Sequence, residues 1–175
     1  GYDVIACTDG AFHYLKEMNF PFERMSFISG DFDSLSEKKE ILGMNQFEVI
    51  ETPDQDKTDF EKALEILKNK GVKEVDVYGG SGGEMDHFLG NLTSAFQFKD
   101  EIEILFYDEC STYFFIPKSF VVEGVMGKMI SLYPFPIVEG ITTDGLNWEL
   151  ENETLNQISR IGTRNFAVKN KISIQ

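Results

Sequence analysis

Apolar and polar positions follow two rhythms along the chain, with the change near residue 108. In the first part, short apolar runs that read as strands are each followed by a stretch of helical spacing. Residues 2–8 predict a buried strand, Asp9-Gly10 a turn and residues 11–18 a short helix. Residues 24–29 predict a second strand that delivers Gly30-Asp31-Phe32-Asp33-Ser34. Ser34 and Glu37 have capping-box spacing, so a helix is expected towards Leu42 with Gly43 as its stop. Residues 47–50 make a third strand before Thr52-Pro53 breaks the chain. Thr58 and Glu61 form a second capping box; Phe60, Ala63, Leu64 and Leu67 follow at helical spacing, and Gly71 ends the helix. A strand over 75–78, a helix over 86–98 and a strand over 102–107 complete this part. Such alternation implies a parallel sheet with right-handed crossovers.

Beyond Asp108 the helical period disappears. Residues 112–116, 120–122, 129–133, 140–142, 166–168 and 172–174 are short β-type runs punctuated by Pro, Gly and Asn. They predict a small all-β domain. With the boundary between Tyr107 and Thr112, the expected domains are 1–108 (α/β) and 109–175 (all-β).

Composition narrows the function. A chain of 175 residues, 42% hydrophobic with 16 phenylalanines, can bury a real core. A net charge of −14 argues against nucleic acid or an anionic membrane as the main partner. No apolar run reaches spanning length, and the first residues lack a signal pattern. Cys7 in an apolar run and Cys110 in a turn-like stretch make no disulfide framework, so a reducing, cytoplasmic setting is expected.

Three stretches carry candidate chemistry, each where a strand hands over to a helix, the place where open α/β sheets bind nucleotides. In an extended segment Asp31 and Asp33 would point the same way and reach one hard cation such as Mg²⁺. The plain alternative is a solvated acidic turn; a phosphatase of the Asp-x-Asp-x-Thr type is disfavoured because Leu35 stands where Thr or Val belongs. In Asp54-Gln55-Asp56-Lys57-Thr58-Asp59, Thr58 caps a helix and Asp59 faces its positive end, yet the acids outnumber what capping requires. The loop Gly79-Gly80-Ser81-Gly82-Gly83 frees backbone N–H groups for phosphate oxygens, although it fits neither the Walker A nor the dinucleotide fingerprint. Asp86-His87 after it could address ribose or phosphate. In the β domain, Trp148 and the Gly162-Thr163-Arg164-Asn165 turn are candidates for holding a flat polar heterocycle, with core packing the default reading of Trp148.

Taken in order, Gly30 to Ser34, Thr52 to Leu64 and Gly79 to His87 closely resemble the thiamin pyrophosphokinase family, and so do Val138 to Trp148 and the later Gly-Thr-Arg-Asn. The resemblance implies a Rossmann-like parallel α/β domain followed by a β-sandwich. It implies transfer of the diphosphoryl group of ATP to the thiamin hydroxyl, giving thiamin diphosphate and AMP, in a homodimer with the thiamin site between subunits. Carried over by motif, Asp31, Asp33 and Asp59 would be catalytic and hold Mg²⁺. Asp9, Gly30, Ser34, Thr58, Gly80, Ser81, Gly82, Gly83, Asp86 and His87 would hold the nucleotide. Gln55, Asp56, Trp148, Thr163 and Asn165 would meet thiamin. Diphosphate transfer to another hydroxymethyl heterocycle such as a pterin, or a non-catalytic nucleotide-binding module, are the alternatives.

Three features depart from the family pattern. Glu84 stands where the glycine loop commonly ends in arginine, and Arg164 where the turn often has serine. The family also has one more strand and a loop ahead of the stretch matching residues 2–10.

Overall fold

The computed structural model describes residues 1–33 and 35–175, with the side chains of Leu35, Ser36 and Glu37 excepted. The Ser34–Glu37 capping box therefore lies outside the described residues. The chain divides into two compact units, Gly1–Phe115 and Ile116–Gln175.

In the first unit, β1 (Ala6–Thr8), β2 (Phe27–Gly30) and β3 (Glu48–Glu51) form a parallel ladder in that order. A second ladder joins β4 (Glu74–Tyr78) in parallel to β5 (Glu103–Tyr107). Its third strand, β6 (Thr112–Tyr113), runs antiparallel to β5, so the start of the run at 112–116 completes this sheet instead of opening the β domain. The reason is packing: Tyr113 stacks on Phe106 with ring centroids 4.9 Å apart. The two ladders share no backbone pairing among the described residues. Tyr2 links the chain start to β4, its hydroxyl donating to Asp76 at 2.6 Å.

The helices are α1 (Asp9–Glu17), α2 (Leu35–Met44), α3 (Asp59–Asn69) and α4 (Met85–Phe98). Helix α1 begins at the expected turn itself, because an acid in the first turn is favoured by the exposed N–H groups there. Helix α2 runs through Gly43 and stops at Asn45, whose φ of 50° is the left-handed conformation that asparagine tolerates. Helix α3 ends where expected. Gly71 (φ 84°) donates to Lys68 O at 2.9 Å, and Val72 N to Leu67 O at 3.1 Å, a Schellman closure. Residues Phe22–Arg24 form a single 3₁₀ turn, so the second strand starts at Phe27, later than expected. Phe12, Phe22, Met25, Ile28, Phe32 and Ile41 pack one core; Leu64, Ala95, Phe98, Ile102, Ile104 and Phe106 pack another.

The second unit is all β, as expected. It contains β7 (Phe120–Glu123), β8 (Met129–Leu132), β9 (Ile137–Ile141), β10 (Thr143–Asp144), β11 (Glu153–Asn156), β12 (Gly162–Phe166) and β13 (Lys171–Ile174). The pairings are antiparallel: β10-β13-β7, β11-β9 and β12-β8. Strand β11 carries no clear sequence signal, since Leu155 is its one strongly apolar residue; that side chain is fully buried and holds the strand in place. Among the described residues, no helix is long and apolar enough to cross a membrane.

Candidate active site

Because β1, β2 and β3 run parallel, their C-terminal ends share one edge, and the chain leaves that edge carrying acids. Asp9 follows β1 and opens α1. Its Oδ1 accepts from Gly10 N at 2.7 Å and its Oδ2 from Phe32 N at 3.0 Å, so two neighbouring chain ends are stapled through one carboxylate. Gly30 makes this possible: a Cβ there would lie 2.2 Å from Asp9 Cγ. Burial pushes the Asp9 carboxyl above its ordinary value, and the charges of Asp59 and Asp31 push further, while the Phe32 and Gly10 amides pull back. Asp31 and Asp59, from the two neighbouring strand-to-helix junctions, thus lie close enough to Asp9 for their charges to act on it.

The corner at Asp31–Asp33 differs from the expected extended segment. Phe32 between them has φ 51°, a strained value for a bulky residue, and its ring is buried in the core. Buried ring and bound amide together hold the turn, so alternation of an extended strand does not place Asp31 and Asp33. Asp31 is half-buried and its Oδ2 accepts from Gln55 Nε2 at 3.0 Å; Asp33 is exposed. Ser34 lies outside the described residues.

The loop from β3 to α3 is tightly ordered. Asp54 Oδ1 accepts from Asp56 N at 2.9 Å, leaving the Asp56 side chain exposed. Thr58 Oγ1 caps α3 by accepting from Glu61 N at 3.1 Å, the first half of the expected capping box. Its methyl faces Gly90 of α4, where an added Cβ would stand 3.4 Å away. In the sequence alone Lys62 is one more polar helix position. It is 5% exposed, its Nζ donates to Thr52 O at 2.9 Å and Asp54 O at 3.1 Å, and it lies 2.8 Å from Asp59 Oδ1. That oxygen is buried and takes no hydrogen bond. The spacing of Asp59 and Lys62, three apart on a helix, was the available signal.

The glycine loop follows β4. Gly79 and Gly82 adopt positive φ (72° and 87°), which explains glycine there. Gly80 is buried against Phe106, its would-be Cβ 2.8 Å from Cδ1, and its carbonyl accepts from Asn91 Nδ2 at 3.0 Å. Asn91, also missed in the sequence, pins the loop to α4. Ser81 Oγ reaches Asp108 Oδ2 at 3.4 Å; Gly83 is exposed. Glu84 is the N-cap residue of α4 but makes no side-chain capping bond, lying instead 3.5 Å from His87 Nε2. Asp86 Oδ1 accepts from His87 N at 3.0 Å. Ligand atoms of Glu84, Asp86 and His87 lie within 4.8 Å of one another, yet all three are exposed at the positive end of α4, which disfavours a cation.

In the second unit, Trp148, Thr163 and Asn165 line one concavity with Leu132, Leu150, Leu155 and Arg160. Trp148 is 61% exposed, so the default core-packing reading fails. Asn165 is buried and spends its amide on the turn: Oδ1 accepts from Trp148 N (3.1 Å) and Phe166 N (2.9 Å), and Nδ2 donates to Trp148 O (2.7 Å). Thr163 is exposed beside Arg164, which occupies the left-handed region (φ 59°) and donates its amide to Ser131 Oγ at 3.0 Å.

Carboxylates at the ends of parallel strands and a glycine turn at a helix N-terminus are features of the α/β class in which strand ends and helix N-termini meet phosphorylated ligands. The sequence model for the thiamin pyrophosphokinase catalytic domain matches residues 1–106, and that for the family's vitamin B1 binding domain matches residues 115–175. The chain belongs to the thiamin pyrophosphokinase family.

Among its relatives, thiamine pyrophosphokinase 1 of Oryza sativa subsp. japonica is 30% identical over 161 residues, covering 84% of this chain and 61% of the rice protein. Thiamin pyrophosphokinase 1 of Caenorhabditis elegans is 27% identical over 180 residues, covering 96% of this chain and 73% of that one. The chain thus spans about three fifths of the length of the rice relative. The crystal structure of the Geobacillus thermodenitrificans thiamin pyrophosphokinase superposes with a TM-score of 0.81 at 24% identity, covering 100% of this chain and 82% of that one. At that identity the likeness speaks for the fold.

Proposed function

We propose that the chain transfers the diphosphoryl group of ATP to the primary hydroxyl of thiamin, giving thiamin diphosphate and AMP. What carries the reading is the Asp9 carboxylate bonded to the amide between Asp31 and Asp33, in a chain whose halves match the family's catalytic and vitamin-binding models in order. The first unit, Gly1–Phe115, is the nucleotide-binding and catalytic part, and the second, Ile116–Gln175, binds thiamin.

The donor set suits Mg²⁺. The groups are hard carboxylate oxygens, the Asp9 carboxyl is raised by burial and then by the charges of Asp59 and Asp31, and the Asp59 side chain is 41% exposed, so it keeps a face open beside its Lys62 contact. Asp31, Asp33 and Asp59 would hold the ion. When bound, Mg²⁺ neutralises phosphate charge. Asp9, Gly30 and Thr58 shape the floor of the nucleotide site, and Gly80 to Gly83 offer backbone N–H groups to phosphate oxygens, with Asp86 and His87 at its margin. The thiamin oxygen attacks the β-phosphorus, the bond from that phosphorus to the α,β-bridging oxygen breaks, and AMP leaves with the oxygen. Loose phosphoryl transition states ask little of a base, so alignment and charge neutralisation are the protein's task.

Trp148 offers an indole face to the thiamin heterocycle, its backbone fixed by Asn165, with Thr163 beside it. Gln55 and Asp56 are the thiamin-contacting residues that the family resemblance implies for the acidic loop. The protein works in the cytoplasm as a homodimer with the thiamin site between subunits, as the family resemblance implies.

The test is incubation with ATP, Mg²⁺ and thiamin, following AMP and thiamin diphosphate, with Asp33→Asn alongside. Equimolar AMP and thiamin diphosphate from the parent, and turnover lost in a variant whose circular dichroism is unchanged, are expected. No AMP from the parent, or parent-like turnover by Asp33→Asn, would overturn the reading.

A further inference from the structure

We infer that Lys62 is a positioning residue: it aims the Asp59 carboxylate and fastens the loop from β3 to α3, so that the acids are presented to a divalent cation. The inference rests on the proposed reaction in one respect, that Asp59 is a metal ligand.

Lysine is almost never buried without partners, and Lys62 is 5% exposed. An ammonium has three N–H bonds to place. Two go to backbone carbonyls, Thr52 O at 2.9 Å and Asp54 O at 3.1 Å, which are the first turns of the acidic loop. The charge then lies 2.8 Å from Asp59 Oδ1 in the first turn of the same helix. Asp59 itself is 41% exposed on its side chain, so its other face is open.

A lysine that served only as a counter-ion could do so from the surface, as Lys57 does with Glu65 on this same helix. Lys62 instead ties three points together: the end of β3, the acidic loop and the metal-facing carboxylate. Loop order extends to Gln55, which reaches across to Asp31.

Three roles make opposite predictions. If Lys62 only competed with a cation for Asp59, removing its charge would tighten cation binding. If it were only a structural rivet, binding would not change. A positioning residue predicts weaker binding although the site becomes one charge more negative.

The experiment titrates the full chain with Mn²⁺, reading the free-ion electron paramagnetic resonance signal, for the parent, Lys62→Met and Lys62→Arg. We expect Lys62→Met to bind Mn²⁺ about 10- to 100-fold more weakly, the usual cost of losing a group that orients a ligand. In AMP release, its kcat should fall by a larger factor than KM for thiamin rises. Equal or tighter Mn²⁺ binding by a folded Lys62→Met would overturn the inference. Should that variant not fold, Lys62→Arg decides, because it keeps the charge but not the compact ammonium geometry. Weakened Mn²⁺ binding by Lys62→Arg would then support the role and parent-like binding would overturn it. A parent that binds Mn²⁺ but releases no AMP refutes the proposed reaction and leaves the Lys62 comparison standing; a parent that binds no Mn²⁺ overturns both.

Discussion

The carboxylate of Asp9 lies over the α-carbon of Gly30, so close that a β-carbon at residue 30 would stand 2.2 Å from both Cγ and Oδ2 of Asp9. Gly30 is needed here for the side chain it lacks. The same carboxylate holds Phe32 N, so one close approach fixes both the start of α1 and the turn between Asp31 and Asp33.

Gly30→Ala should therefore displace Asp9 and loosen the corner. Overpacking of this kind costs about 1–3 kcal/mol, and turnover should fall by about tenfold or more with it. Denaturant unfolding and AMP release on the one variant check both. Parent-like values for both would mean that Asp9 can swing aside without consequence.

The pH dependence of stability follows from the same carboxylate. Asp9 is pushed up from 3.8 first by burial and then by Asp59 and Asp31. A carboxyl raised in the folded state contributes stability that is fully present below its unfolded value and lost as pH rises through its folded one. A cation among these acids returns what ionisation removes. Mg²⁺ should therefore raise the melting temperature near pH 7, and its effect should shrink towards pH 4. Calorimetry at both pH values, with and without MgCl₂, reads this directly; an Mg²⁺ effect independent of pH would contradict it.

Asn165 gives the β unit its clearest test. Asn165→Ala removes three hydrogen bonds, two of which hold the Trp148 backbone. Stability should fall by about 1–3 kcal/mol, and KM for thiamin should rise more than kcat falls, because the indole is released and no reacting group is lost. Trp148 is the single tryptophan, so fluorescence anisotropy reports its mobility without a label. Unchanged anisotropy together with unchanged KM would separate this turn from the substrate.

Glu84 makes no capping bond and its side chain is 81% exposed. Charge effects at such a site are screened to about 0.3–1 kcal/mol, so Glu84→Arg should lower KM for MgATP by about two- to fivefold. The melting temperature should move little, since the helix end loses only an exposed approach to His87. Steady-state kinetics against MgATP and a thermal melt decide; an unchanged KM would place Glu84 away from the phosphates.

Much of this protein was determined by near neighbours in the chain. The alternation of strand and helix, the Thr58 cap, the stop at Gly71 and the glycines of the 79–83 loop depend on hydrogen bonds and φ angles within a few residues, and all are legible in the sequence. The motif set and its order also sufficed to indicate the family, later matched over residues 1–106 and 115–175.

Other features were decided only when distant segments packed. The sequence pattern treats Asp31 and Asp33 as neighbours on an extended strand, whereas the buried Phe32 ring and the Asp9 bond from another strand end turn the chain between them. It treats Lys62 as one more polar helix position and Trp148 as core, whereas the lysine is enclosed by the loop after β3 and Trp148, its backbone bound by Asn165, is exposed. Strand β11 exists because Leu155 finds a buried place beside β9. Periodicity and propensity describe energies between residues close in sequence. The burial of a charge, the strain at one φ angle and the convergence of acids from three loops are energies between residues far apart, and these take values only once the tertiary fold has brought them together.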